Sequence, residues 1–246
     1  MRSRCEKHRA LAESTEYNTA YNERMVIMSK NDMHISGSGT IAAGEYGGVH
    51  VSGSGRINGN ISCTDLHCSG SAKAVGDVIS SGDVKCSGSF HCCGKVEAAF
   101  VSCSGSARVD GSIKAGTIKA SGSIRASDME AERIVVSGGC GVPGLMNAET
   151  VEINLGGRCN VGSIGCGKLT VKLGAGCGWL WFGRRRDDLL EIGTIEGDEI
   201  ELENTSADVV RGKNVIIGKN CSIKTVEYSQ NLSVDLSSTV REQVKK

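Results

Sequence analysis

Cys103-Ser-Gly-Ser-Ala-Arg-Val-Asp-Gly-Ser-Ile-Lys-Ala-Gly-Thr-Ile-Lys-Ala-Ser-Gly-Ser123 opens on one Ser-Gly-Ser turn and closes on another 17 residues later. Between them, in Val109-Asp-Gly-Ser-Ile113 and Thr117-Ile-Lys-Ala-Ser121, apolar side chains alternate with polar or small ones. Alternation at every second residue is the period of a strand rather than a helix. Outward from this stretch the tetrapeptide recurs at Ile35, Val51, Cys68, Cys86, Cys103 and Ala120, and as Val136-Ser-Gly-Gly, at steps of 16, 17, 18, 17, 17 and 16 residues.

Alignment on the tetrapeptide exposes three apolar columns. The first holds Ile35, Val51, Cys68, Cys86, Cys103, Ala120 and Val136, and continues as Ile153 and Val171. Two residues earlier stand Val49, Leu66, Val84, Val101, Ile118, Ile134, Val151 and Leu169. Six residues later stand Ile41, Ile57, Ala74, Cys92, Val109, Ala126 and Val142, with Cys159 and Cys177 expected to follow. A chain that returns each side chain to its own column every ~17 residues winds a parallel β-solenoid whose coils rise by one inter-strand spacing, ~4.8 Å. The expected fold is therefore all-β, a single-stranded parallel β-helix of roughly ten or eleven coils, on the order of 50 Å long. After Val136 the motif fades, but Glu199-Ile-Glu-Leu-Glu203 alternates again and apolar residues gather in Asn214-Val-Ile-Ile-Gly218.

Residue choice follows from the stack. Ser36, Ser52, Ser69, Ser87, Ser104 and Ser121 are expected to line an outward ladder. The glycine after each serine suits a corner that needs positive φ or close backbone approach. The coil that starts at Ala120 carries Asp128 where its neighbours have glycine, and Glu130 where they have Ile61, Val78, Val96 and Ile113, which predicts a bulge there.

The 246 residues include 34 glycines, one proline and only 4% aromatics, so the core must be thin and built of small aliphatics. Lys+Arg and Asp+Glu balance at 28 each, which leaves no field of one sign to hold a nucleic acid. Twelve cysteines without an apolar leader point to a reducing, cytoplasmic setting. No stretch approaches the roughly 20 apolar residues of a membrane span.

Chemistry is sparse. Cys68, Cys86 and Cys103 share a column, no C-x-x-C pair exists, and Cys92 and Cys93 point to opposite faces, so cysteine is expected as a small core filler rather than a metal ligand. His8, His34, His50, His67 and His91 show no cluster with a nucleophile. No enzyme activity, cofactor or metal is therefore expected. Ile217-Gly-Lys-Asn-Cys-Ser-Ile223 resembles one hexapeptide repeat of the left-handed β-helix acyltransferases, which would imply acyl transfer. The 17-residue period and the lack of histidine in the C-terminal half depart from that family.

Two segments leave the pattern. Residues 1–34 are polar and without repeat, expected as a disordered tail in which Met25, Met28 and Met33 offer internal starts. Residues 178–190 interrupt the solenoid between its regular coils, 35–177, and its C-terminal coils, 191–240, and residues 241–246 follow as a tail. The interruption concentrates Trp179, Leu180, Trp181, Phe182, Arg184, Arg185 and Arg186, which suits contact with an anionic membrane surface or with a protein partner.

The Ser-Gly-Ser coils from Ile35 to Val136, with Ile195-Glu-Gly-Asp-Glu-Ile-Glu-Leu-Glu-Asn-Thr205 and Val209-Val-Arg-Gly-Lys-Asn-Val-Ile-Ile-Gly218, resemble the bactofilins, the polymer-forming cytoskeletal proteins of bacteria. The resemblance implies a right-handed β-helix that polymerises end to end without a nucleotide, beside the inner face of the membrane. The long N-terminal segment, the extra coils and the aromatic insertion depart from that family. Independently, the last coil of a solenoid exposes an unpaired strand edge and an apolar cross-section. Ile35 and Ile41 at one end, and Tyr228, Leu232, Val234 and Leu236 at the other, are the expected self-assembly surfaces. A limited oligomer acting as a membrane-associated adaptor is the alternative.

Overall fold

The computed structural model describes residues 31–174 and 189–246. Among them lie twenty strands and no helix. The strands pair in parallel, each with its counterpart one coil away, from Met33–Ile35 against Gly48–Val51 to Ser222–Val234 against Thr239–Lys245. About 12 coils stack this way, so the solenoid of roughly 17 residues per coil is the observed fold. It fills Asp32–Lys246.

Register makes the columns physical. Val101 pairs with Ile118, Ile118 with Ile134, Ile134 with Val151 and Val151 with Leu169, and every one of these side chains is buried. The column continues through Ile200, Val215 and Leu232. Burial alternates along the inner coils' strands, as in Ser106–Val109 and Ser71–Ala74, because successive side chains point in and out. In the first half each coil breaks into short strands at its corners. From Gly139–Leu155 to Ser222–Val234 strands of 13–17 residues run around those corners.

The glycine of each Ser-Gly-Ser turn is explained by close approach, not by φ. A Cβ at Gly53, Gly70, Gly88, Gly105, Gly122 or Gly138 would run into the carbonyl oxygen of the glycine one coil below, and none of the six has positive φ. Gly37 meets nothing within 4 Å, because no described residue stacks beneath it. The preceding serines are exposed, as the outward ladder requires.

At other corners carboxylate and amide side chains tie neighbouring coils together. Asn60 Oδ1 accepts from Asp77 N at 2.9 Å, Asp77 Oδ1 from Lys95 N at 3.0 Å, Asp65 Oδ1 from Asp83 N at 2.9 Å and Asp128 Oδ1 from Leu145 N at 2.9 Å. A bent backbone cannot aim these N–H groups at the ladder, and a short oxygen-bearing side chain supplies the acceptor. Among the described residues no buried side-chain polar atom lacks a partner.

Several expectations need correction. Met129, not Glu130, pairs with Ile113, so the coil after Ala120 is one residue shorter and keeps an apolar side chain in the core. Val161 rather than Cys159 pairs with Val142, while Cys159 pairs with Cys140 in a neighbouring inward column. The corner at Gly156-Gly157 lengthens that coil and moves the offset by two; Cys177 lies outside the described residues. Leu190 opens a strand and is fully buried, so it belongs to the rod and not to the 178–190 insertion. The strand Thr239–Lys245 pairs with Ser222–Tyr228, so most of 241–246 is a last coil rather than a tail.

Candidate functional site

Among the described residues, the first and last coils of the solenoid are built from the same columns as its interior. Ile35 is half-buried, whereas Val51 in the same column is 1% exposed. At the other end Leu232 and Val234 are half-buried, whereas their column mates Val215 and Ile217 are each 1% exposed. In these columns the apolar residues of the end coils are more exposed than those that have a coil on both sides. Met33, Ile35 and Tyr46 at one end, and Tyr228, Leu232, Val234 and Val240 at the other, pack partly buried against the core. Among the described residues no strand pairs with the outer edge of Met33–Ile35 or of Thr239–Lys245. Such edges are templates for further pairing.

Two of the expected end residues sit differently. Ile41 is buried, at 1% exposure, although its strand lies in the first described coil and, among the described residues, pairs only with the coil of Ile57, so it is not an exposed end residue. Leu236 is fully exposed in the corner before the last strand, outside the inward columns, where Asp235 Oδ1 accepts from Ser237 N at 2.9 Å. Those hydrogen bonds from Ser237 hold the Asp235 carboxyl below its ordinary range. Trp179, Leu180, Trp181, Phe182, Arg184, Arg185 and Arg186 lie outside the described residues. The strands that flank them, Cys159–Leu173 and Leu190–Leu202, nevertheless pair in register, Cys159 with Leu190 and Thr170 with Glu201. The coil step there is 31 residues (190 minus 159), so an extra half-coil or more of chain is accommodated without breaking the ladder.

The sides of the rod are charged and paired. Lys168 meets Glu199 at 3.5 Å, Lys172 meets Glu201 at 3.1 Å and Lys213 meets Asp198 at 2.9 Å, each across neighbouring coils. One face carries a shallow groove of about 850 Å³ floored by Ala98, Ala115, Ala131 and Ala148. Its rim charges include Lys114 and Glu130, which are paired with each other at 2.9 Å.

The core thiols behave as filler. Cys68, Cys86 and Cys103 stack in consecutive coils, all buried, and the hydrogen bonds of Cys86 with Cys103 and Cys68 push its thiol far above the ordinary range. Burial pushes Cys92 up to about 11.

One cluster escaped the sequence reading. His91 and Cys93 lie two residues apart on the same outer face, and Asp110 joins them from the next coil. The expectation of histidines without a nucleophile nearby fails at this point. The signal was present: His91 and Cys93 are two residues apart at the end of one strand, and the 17-residue step sets Asp110 beside Cys93.

The described residues hold no helix long and apolar enough to cross a membrane. No family model and no solved structure matches the chain. It is 41% identical over 103 residues to the uncharacterized protein YhbF of Bacillus subtilis (strain 168), covering 42% of each. It is 42% identical over 105 residues to the uncharacterized protein YhbE of the same organism, covering 42% of this chain and 44% of that one. The chain thus spans less than half the length of these curated relatives.

Proposed function

We propose that this chain is a non-enzymatic structural protein that self-assembles through its solenoid ends into a nucleotide-independent bacterial polymer or scaffold of the bactofilin type. The observation that carries this reading is the contrast at the ends: apolar side chains buried everywhere else in their columns are half-exposed at Ile35, Leu232 and Val234. Joining two rods would cover them and extend the ladder. Burying the exposed apolar area at each joint supplies ~25 cal/mol per Å², and the unpaired strand edge supplies direction. The sides, with their ion pairs spread over both signs, favour solubility rather than lateral packing. Attachment to the inner face of the membrane through residues 179–186 belongs to the same proposal, on the strength of their aromatic and basic composition.

Sedimentation velocity over a range of concentrations tests the reading. The native chain is expected to form large, concentration-dependent species without nucleotide. Val234→Lys places a charge on the open face without disturbing a fully covered side chain, so the variant is expected to stay folded and sediment as a small species. Large assemblies that persist in Val234→Lys would remove the end faces from the mechanism. A native chain confined to a small oligomer that pellets with anionic vesicles, and no longer does so without residues 178–187, would favour the adaptor instead.

A further inference from the structure

We propose that His91, Cys93 and Asp110 form a surface site for a borderline divalent cation of the zinc class. The three ligand atoms lie within 4.8 Å of one another. His91 lies in the strand Ser89–Cys92 beside the buried Cys92, and Cys93, the first residue past that strand, is exposed. Asp110 reaches over from the next coil and places its Oδ2 at 2.9 Å from His91 Nε2. The remaining carboxylate oxygen, Oδ1, accepts from Arg108 Nε at 2.8 Å. That contact fixes the rotation of the carboxylate and leaves Oδ2 as the ligand, the outer-sphere arrangement that orients metal-binding carboxylates.

Thiolate, imidazole and carboxylate together match the zinc donor set, with Zn–S of about 2.3 Å and Zn–N and Zn–O of about 2.0–2.2 Å. Hard cations such as calcium or magnesium would want more oxygens and no sulfur. Three ligands on an exposed face leave the fourth position to water. The ion takes the place of the proton now shared by His91 Nε2 and Asp110 Oδ2. In the neutral ring that proton moves to Nδ1, Nε2 gives its lone pair to the metal, and the Cys93 thiol releases its proton to solvent as the metal–sulfur bond forms. Each cation bound therefore liberates one proton from the thiol. Lys73 and Arg108, which flank His91 in its own column, oppose the incoming charge and set the affinity below that of a closed structural site.

The test is a titration of the full chain with Co2+, followed through the thiolate-to-cobalt charge-transfer absorption. One equivalent is expected to produce the band, and Zn2+ to bleach it. Cys93→Ser is expected to abolish it while Cys166→Ser retains it. His91→Ala is expected to weaken binding by about tenfold or more, since loss of even an outer-sphere partner costs that much. All three side chains face outward, so circular dichroism should show each variant folded. In parallel, alkylation of Cys93 read by mass spectrometry should be blocked by stoichiometric Zn2+ and restored by a chelator. Absence of the band, or its survival in Cys93→Ser, overturns the site.

Discussion

At Gly88 a hydrogen stands where any other residue would carry a carbon, and the carbonyl oxygen of Gly70 occupies the space that carbon would need. The constraint comes from the coil below, since Gly88 has no positive φ. Gly88→Ala must push two coils apart, an overpacking cost of about 1–3 kcal/mol. Gly37→Ala, in open space at the end of the stack, should stay within about 0.5 kcal/mol of the native chain. Urea denaturation of the two variants side by side checks the contrast; equal effects would mean that stacking does not explain the glycine column. Thiols supply a second test at this scale. The folded chain holds Cys92 and Cys166 protonated up to about 11, whereas an ordinary thiol ionises near 9.0, so the folded state binds more protons between these values. Their stabilisation is complete below pH 9 and drains away as pH rises toward 11. Unfolding free energies measured at pH 8.5 and 10.5 should fall accordingly; a rise would contradict burial of these side chains.

Within one coil, what fixes the corners is a handful of short polar side chains. Asp77 accepts from the backbone of Lys95 and is itself held through its own N–H by Asn60, so three successive coils share one seam. Asp77→Ala leaves the Lys95 N–H without its acceptor and should cost about 1 kcal/mol, or up to about 3 where water cannot replace it. Thermal denaturation reads the loss, and Asp77→Asn, which keeps the oxygen, should restore most of it. The corners also explain which parts of the fold were legible. Column membership could be read from Val49 to Leu169 because inward side chains on straight strands keep a constant offset. The offset failed at Met129 and at Cys159, where a corner lost or gained residues that never enter the ladder. Leu190 was hidden for the same reason: the aromatic run ahead of it masks the first residue of a strand. His91, Cys93 and Asp110 form no C-x-x-C, the loop spacing that marks a metal site in a sequence, because a stacked fold assembles ligands as i, i+2 and one coil onward.

Over the whole solenoid, stability accumulates from nearest-neighbour contacts, because each coil touches only the coils above and below it. The two outermost coils lack one such neighbour among the described residues, and their half-exposed Ile35, Leu232 and Val234 show what a neighbour would cover. This end effect was legible in the sequence as a principle, though not residue by residue: Ile41 proved to be buried and Leu236 to lie on a corner. Electron microscopy of the purified chain without nucleotide tests end-to-end stacking most directly. With about 12 coils at ~4.8 Å each, filaments should show an axial repeat of about 58 Å, or twice that if the ends alternate. Single short rods at all concentrations, or filaments whose repeat is unrelated to the stacked length, would contradict assembly through the ends.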